Sequence, residues 1–389
     1  MLKITADHIL LPDGKLHQGK TLVFDSEGRV SDILTSPPAE DVRILKGILT
    51  PGFINTHCHL ELSYLKGAVP SQTGLPGFVS DLVGTRSNDE SQAAGAAQKS
   101  DALMWESGIQ GVGDICNRSH TITVKSLSRI RYYNFIETFG LDSRKAETMY
   151  RQATALCEAF EQHTLAASVT AHAAYSMSPL LLDLIRVNHS PDIPWTVHNQ
   201  ESREEKQLFN DKTGKFAELF SSLGIDLSSL PDGKGNSLQY LLRYVPSTGH
   251  LLFVHNTYTS RADIGIMRDL GLLERAWFAL CPKANLYIEN RLPDIAMLLE
   301  EGCRLTIGTD SLASNDELSI ISELKAIHKM YPSIPAANLL TWATKNGADY
   351  FGWNDLGAFE KGNKPGCILI PAGGNAEDVL NWGNAVRVI

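Results

Sequence analysis

The chain contains no CxxC pair and no apolar run near the ~20 residues that a bilayer-spanning helix needs. Its six cysteines (Cys58, Cys116, Cys157, Cys281, Cys303 and Cys367) lie scattered, as reduced thiols do. That spacing argues against a disulfide framework and against a closed Cys-type zinc site. A basic excess is also missing. The formal net charge of −9 argues against a nucleic-acid backbone or an anionic membrane as the main partner. The opening MLKITADHILLPDGK has neither a long apolar segment nor a small-residue cleavage site, so no signal peptide is expected and the cytoplasm is the expected location. Low-complexity tracts and short-period repeats are absent.

What is present is ordinary for a soluble protein. The 389 residues are 43% hydrophobic and 20% charged, enough for a barrel-sized core in one large or two unequal domains. Residues 1–50 read as short strands and turns: ITADHILL, a Pro12-Asp13-Gly14 turn, TLVFD, then RVSDIL after Gly28. Residues 355–389 hold GCILIPA and AVRVI, also strand-like. The two ends are expected to pair into one small sheet domain around residues 51–354.

That middle alternates between apolar runs and helical segments. The runs are GFINTH (52–57), GVGDIC (111–116), YYNFIET (132–138), AASVTAH (166–172), PWTVH (194–198), HLLFVH (250–255), AWFALC (276–281) and RLTIGTD (304–310). Helix-like stretches such as 147–163 and 293–302 separate them. Continuously apolar strands between helices imply a parallel sheet buried on both faces. Eight such units make an α/β chain of the (β/α)8 TIM-barrel type. The longest insertion, 199–249, carries ESREEKQLFND and a Pro231-Asp232-Gly233 turn.

The polar residues fall at the ends of these runs. His57 and His59 close the first, His172 the fourth, His198 the fifth, His255 the sixth and Asp310 the eighth. A barrel gathers the C-terminal ends of its strands on one rim, where active sites are built. A single histidine at a strand end can be purely structural. His57 and His59, two residues apart on a strand, point to the same side, as two ligands of one ion must. Cys58 between them faces the other way and reads as packing. Imidazole nitrogens with one carboxylate suit Zn2+ or Fe2+ better than calcium or magnesium.

Together these residues resemble the amidohydrolase superfamily, in its deaminase and chlorohydrolase-like branch. The resemblance rests on PGFINTHCHLELSYLKG (51–67), HAAYSMSP (172–179), HNQES (198–202), FVHNTY (253–258), CPKANLYIENRLPDI (281–295) and TIGTDSLASNDELS (306–319), and it runs through LGAFEKGNKPGCILI. It implies a distorted barrel with a small β-sandwich made from both termini. It also implies one divalent metal ion, zinc or iron(II), on His57, His59, His198 and Asp310. The fourth strand has no lysine of the kind that bridges two metals in binuclear relatives, so one ion is expected. Glu201 matches the HxxE proton shuttle and His255 the histidine beside the attacking water; with Asp310 they form the expected catalytic set.

The resemblance further implies hydrolytic deamination of a small amino-heterocycle. The leading expectation is a 6-amino purine nucleoside or related adenosine derivative, of the aminodeoxyfutalosine or S-adenosylhomocysteine type. The HLE-x-S pattern after the second histidine is similar to the aminodeoxyfutalosine deaminase group. Alternatives are deamination of guanine, 8-oxoguanine or a pterin, chlorohydrolase-type chemistry, or a non-catalytic barrel relative. Four residues are expected on the substrate side. His172 contacts substrate or supports the site. Ser314 lines the pocket or orients Asp310. Arg291 pairs with a substrate carboxylate or with Glu289. Glu61 stays in phase with the two histidines if the strand remains regular, and is expected to contact a ribose or ring nitrogen of the substrate. A homodimer is the default expectation for assembly.

Overall fold

The computed structural model describes residues 1–35, 41–87, 89–231, 233 and 235–389. Asp232, the middle of the expected Pro-Asp-Gly turn, lies outside the described residues. All eight apolar runs form strands: β1 (Phe53–Cys58), β2 (Ile109–Cys116), β3 (Arg131–Thr138), β4 (Ala166–Ala171), β5 (Trp195–Asn199), β6 (Leu251–His255), β7 (Ala276–Leu280) and β8 (Arg304–Ile307). They are almost wholly buried, because helices cover the outside and side chains fill the inside.

The barrel is built as two parallel four-stranded sheets, ordered β1-β2-β3-β4 and β5-β6-β7-β8. At each of the two seams a single bridge joins them, Ala173 to His198 and Cys58 to Asp310. Side chains reinforce both. Thr170 Oγ1 donates to the Thr196 carbonyl. Thr56 Oγ1 lies 2.9 Å from Thr306 Oγ1 and donates to the Ile307 carbonyl at 3.1 Å. The seams are where the barrel departs from regularity, and both meet residues expected in the site.

The termini do pair. Ile48–Thr50 takes Ile368–Ile370 antiparallel on one side and His8–Leu10 parallel on the other. A second sheet joins Val30–Leu34, Thr21–Phe24, Leu2–Thr5 and Val42–Ile44. The two share a core of Ile4, Ile9, Leu22, Phe24, Leu49, Phe359 and Cys367. We propose residues 1–50 with 355–389 as one composite unit on these pairings. The 199–249 insertion is helical, with helices Arg203–Asp211, Lys215–Ser222 and Ser237–Leu241. No helix among the described residues is long and apolar enough to cross a membrane.

Candidate metal and catalytic site

The C-terminal rim gathers His57, His59, His198, His255, Glu201 and Asp310 from four different strand ends. His57 Nε2 and His59 Nε2 are 3.2 Å apart, and His59 Nε2 is 3.4 Å from His198 Nε2. Asp310 Oδ1 lies 3.4 Å from His59 Nε2 and 3.7 Å from His57 Nε2. His59 Nε2 thus has a donor atom of His57, of His198 and of Asp310 within 3.2–3.4 Å. Donors held about 2.0–2.1 Å from a tetrahedral ion stand about 3.3–3.4 Å from one another, and the separations above run from 3.2 to 3.7 Å. Burial and the neighbouring histidines hold the ring of His57 below the usual histidine range; for His198 and His59 burial does so against the pull of Glu137 and of Asp310. Neutral imidazole is the form that binds a metal. Donor type, spacing and protonation all fit one divalent ion.

Neighbouring groups fix the ring orientations. His198 Nδ1 donates to the His172 carbonyl at 2.8 Å, which leaves its Nε2 lone pair turned toward the cluster. Gly308 lets β8 close on β1. A Cβ there would sit 2.8 Å from His57 Cβ and 2.9 Å from Cys281 Sγ, too close for any other residue. Asp310 has φ of 55°, a left-handed conformation that costs a non-glycine residue energy. It is held there by its N–H to the His57 carbonyl and by Asn315, which donates to the Thr309 carbonyl at 2.9 Å. Ser314 Oγ donates to Asp310 Oδ2 at 2.5 Å, so Oδ1 is the oxygen left facing the histidines. His255 and Asn256 are also left-handed, at 72° and 57°. Asn256 is pinned by its N–H to the Asn199 carbonyl and by its amide to the Phe253 carbonyl.

Glu201 lies beyond His198, buried, with Oε2 3.6 Å from His255 Nε2. Burial, then the charges of Asp310, Glu205 and Glu289, push its carboxyl well above the usual range. Burial and those charges favour its protonated, donating form. Glu205 fixes it from behind: its Oε1 accepts the Glu201 N–H at 2.8 Å and the Ser202 N–H at 3.3 Å, where helix Arg203–Asp211 begins.

The chain belongs to the amidohydrolase family. The family's sequence model matches residues 48–384, the whole barrel with its flanking strands. An adenosine deaminase of Helicobacter pylori is 26% identical over 320 residues, covering 79% of this chain and 75% of that protein. An aminodeoxyfutalosine deaminase of Nitratiruptor sp. is 25% identical over 369 residues, covering 90% and 87%. Among solved structures, Helicobacter pylori aminofutalosine deaminase with methylthio-coformycin aligns along 100% of both chains, with a TM-score of 0.81 at 22% identity. Zinc-bound atrazine chlorohydrolase of Arthrobacter aurescens aligns over 98% of this chain and 92% of its own, with a TM-score of 0.74 at 16% identity. At those identities the structural likenesses speak to the fold.

In this amidohydrolase the four residues expected on the substrate side are not alike. His172 stands against the cluster, its ring 5.0 Å from the ring of His198 and its Nδ1 2.7 Å from Ser176 Oγ. Ser314 is engaged with Asp310. Arg291 is exposed at the rim, its guanidinium 4.9 Å from the centre of the Tyr258 ring. No ion pair joins it to Glu289, whose carboxylate instead accepts from the Leu75 N–H and Tyr258 hydroxyl. For Glu61 the regular strand does not continue. Asp114 Oδ1 accepts the Leu60 N–H at 2.7 Å, β1 stops at Cys58, and Leu60–Leu65 turns into a 3-10 helix. Glu61 Oε2 then accepts the Asn117 and Arg118 N–H groups at 2.8 and 3.1 Å. Cys58 is buried in the main apolar core, as packing.

Two neighbours escaped sequence reading. Glu137, near the end of β3, has Oε1 3.5 Å from His198 Nδ1, and with His172 and His198 it forms a second close cluster. Its only sequence signal was its place at the end of YYNFIET. The second is a fully buried ion pair under the β1 turn, Lys125 Nζ to Asp114 Oδ2 at 2.5 Å, completed by Asn134 Oδ1 at 2.8 Å. It neutralises the carboxylate that ends β1.

Proposed function

We propose that the protein is a zinc-dependent hydrolytic deaminase of a 6-amino purine nucleoside or a closely related adenosine derivative. The observation that carries this reading is the pairing of a metal-fitting His57, His59, His198 and Asp310 cluster with the buried carboxyl of Glu201, 3.6 Å from His255. The deaminases among its relatives support the reaction class. Zinc suits the three imidazoles and one carboxylate; iron(II) takes the same donors, and metal analysis separates them.

When bound, the divalent ion supplies Lewis acidity, making water acidic enough to attack near neutral pH. The remaining chemistry belongs to side chains. Asp310, oriented by Ser314 at Oδ2, takes a proton from the attacking water on its carboxylate. Glu201 donates its proton to the ring nitrogen next to the amino-bearing carbon; the proton held by Asp310 then goes to the amino group, which leaves as ammonia, and the new hydroxyl returns its proton to Glu201 as the carbonyl forms. His255, facing Glu201 Oε2, stabilises charge that develops between them. His172 contacts the bound ring or sugar through its free edge. Glu61 acts on the substrate side by fixing the loop of Asn117 and Arg118, and Arg291 shapes the mouth.

Glu201→Gln tests the assignment. Turnover should fall at least a thousandfold while about one metal ion per chain is retained. Retained turnover would remove Glu201 from the proton path. Loss of metal with turnover would assign it to the metal site instead.

A further inference from the structure

The two histidines of the first strand are held in different ways. His57 is held from β8: its carbonyl accepts the N–H groups of Thr309 and Asp310 at 3.0 and 3.1 Å. His59 lies past the end of β1. There β1 and β2 pair as far as Asn55 and Val112, slip, and meet again at Cys58 and Asp114. Beyond that point a side chain takes over from the ladder. Asp114 Oδ1 accepts the Leu60 N–H at 2.7 Å, and the His59 carbonyl accepts the Leu62 N–H at 3.0 Å. Both polar groups of the peptide that joins His59 to Leu60 are therefore engaged.

The other oxygen of that carboxylate is locked in turn. Lys125, on helix Ile122–Leu127, places Nζ 2.5 Å from Asp114 Oδ2, 2.8 Å from Asn134 Oδ1 and 3.0 Å from Cys116 Sγ. Asn134 Nδ2 donates to the Ala166 carbonyl at 2.9 Å, which ties the group to β3 and β4. The ammonium also stands 5.1 Å from the centre of the Phe160 ring and 5.3 Å from that of Tyr132. Both charged side chains are fully buried. A buried ion pair is a poor source of stability, because apolar residues of the same volume often serve as well or better. What this pair does give is direction: an acceptor that cannot turn away from Leu60. Groups that support a metal ligand from behind change metal affinity by about 10- to 100-fold when removed.

We propose that Asp114, clamped by Lys125, is a positioning residue that aims His59 at the metal ion. This rests on the metal site of His57, His59, His198 and Asp310 and is independent of the substrate. Zinc dissociation constants test it, measured on the full chain by competition with a chromophoric chelator, at a temperature where circular dichroism shows every variant folded. Two double variants are compared. Asp114→Asn with Lys125→Met removes both buried charges and keeps an oxygen for the Leu60 N–H. Asp114→Ala with Lys125→Met removes the charges and the oxygen together. The second should bind zinc at least tenfold more weakly than the first. Equal constants overturn the proposal. Phe24→Leu, in the core of the terminal sheets, lowers melting away from the rim and should keep the wild-type zinc constant. Zinc binding weakened as much by Phe24→Leu would make general loosening the cause and overturn the proposal too. If the double variants do not fold, Asp114→Glu decides: it keeps a charge for Lys125 but carries the carboxylate one methylene too far. Zinc bound at least tenfold more weakly upholds the role, and an unchanged constant overturns it. A wild type that takes up no zinc removes the metal site and the proposal with it. A wild type that holds zinc, with no difference between the double variants, removes only the role of Asp114.

Discussion

Replacing Glu205 by glutamine should stabilise the protein, and increasingly so as pH rises. Glu205 is buried behind Glu201, and burial pushes its carboxyl to about 7 despite the hydrogen bonds of the Ser202 N–H, the Ser237 hydroxyl and the Glu201 N–H. Between the ordinary value of 4.5 and about 7 the folded state keeps a proton that the unfolded state has lost. Stability therefore falls as pH rises through that window, by about 1.4 kcal/mol per pH unit, or about 3 kcal/mol in all. Glutamine keeps a carbonyl oxygen for the Glu201 N–H and offers Ser237 an N–H in place of a carboxylate oxygen, so it carries no such loss. An unfolding entropy of about 2.1 cal/mol/K per residue gives roughly 0.8 kcal/mol/K for this length, so the advantage grows by about 4 °C. Melting curves of both proteins at pH 5 and pH 8.5 measure it. The gap between them should widen by that amount in favour of Glu205→Gln. A constant gap, or a variant that loses ground at pH 8.5, would refute the claim that this carboxylate is held against its ionisation.

Other perturbations read other parts of the site. Ser314→Ala removes a hydrogen bond to a charged carboxylate, worth about 1.5–3 kcal/mol, so kcat/KM should fall roughly 10- to 150-fold with metal content little changed; an unaltered rate would show that Asp310 does not depend on it. Gly308→Ala forces a methyl against His57 and Cys281 and should cost about 1–3 kcal/mol of stability and weaken metal retention, as melting and metal analysis would register. Glu61→Ala strands two N–H groups, each worth about 1–3 kcal/mol, while Glu61→Gln keeps an acceptor for them and should melt higher than the alanine variant. A raised KM with no loss of melting temperature would instead make Glu61 a direct substrate contact.

Much of this was legible in the sequence because it depends on short-range pattern. Eight buried strands announce themselves as apolar runs, and the chemistry sits where those runs end, so His57, His59, His198, His255 and Asp310 could be placed together before any coordinates. What stayed hidden depends on contacts between distant segments. Nothing in LELSYL shows that Asp114 will take the Leu60 N–H and turn the chain, so Glu61 was extrapolated along a strand that ends three residues earlier. Arg291 looked suggestive because it stood in a charged loop, yet it lies over Tyr258.

The central claim is that the rim cluster and Glu201 together remove ammonia from an adenosine-type ring. The most direct test loads the purified chain with one equivalent of zinc, adds 5′-deoxyadenosine or another adenosine derivative, and measures ammonia against loss of the 6-amino purine. The account predicts equimolar ammonia and 6-oxo product, abolished when the metal is withdrawn by a chelator. A folded, metal-loaded protein that releases no ammonia from any 6-amino purine nucleoside would contradict it.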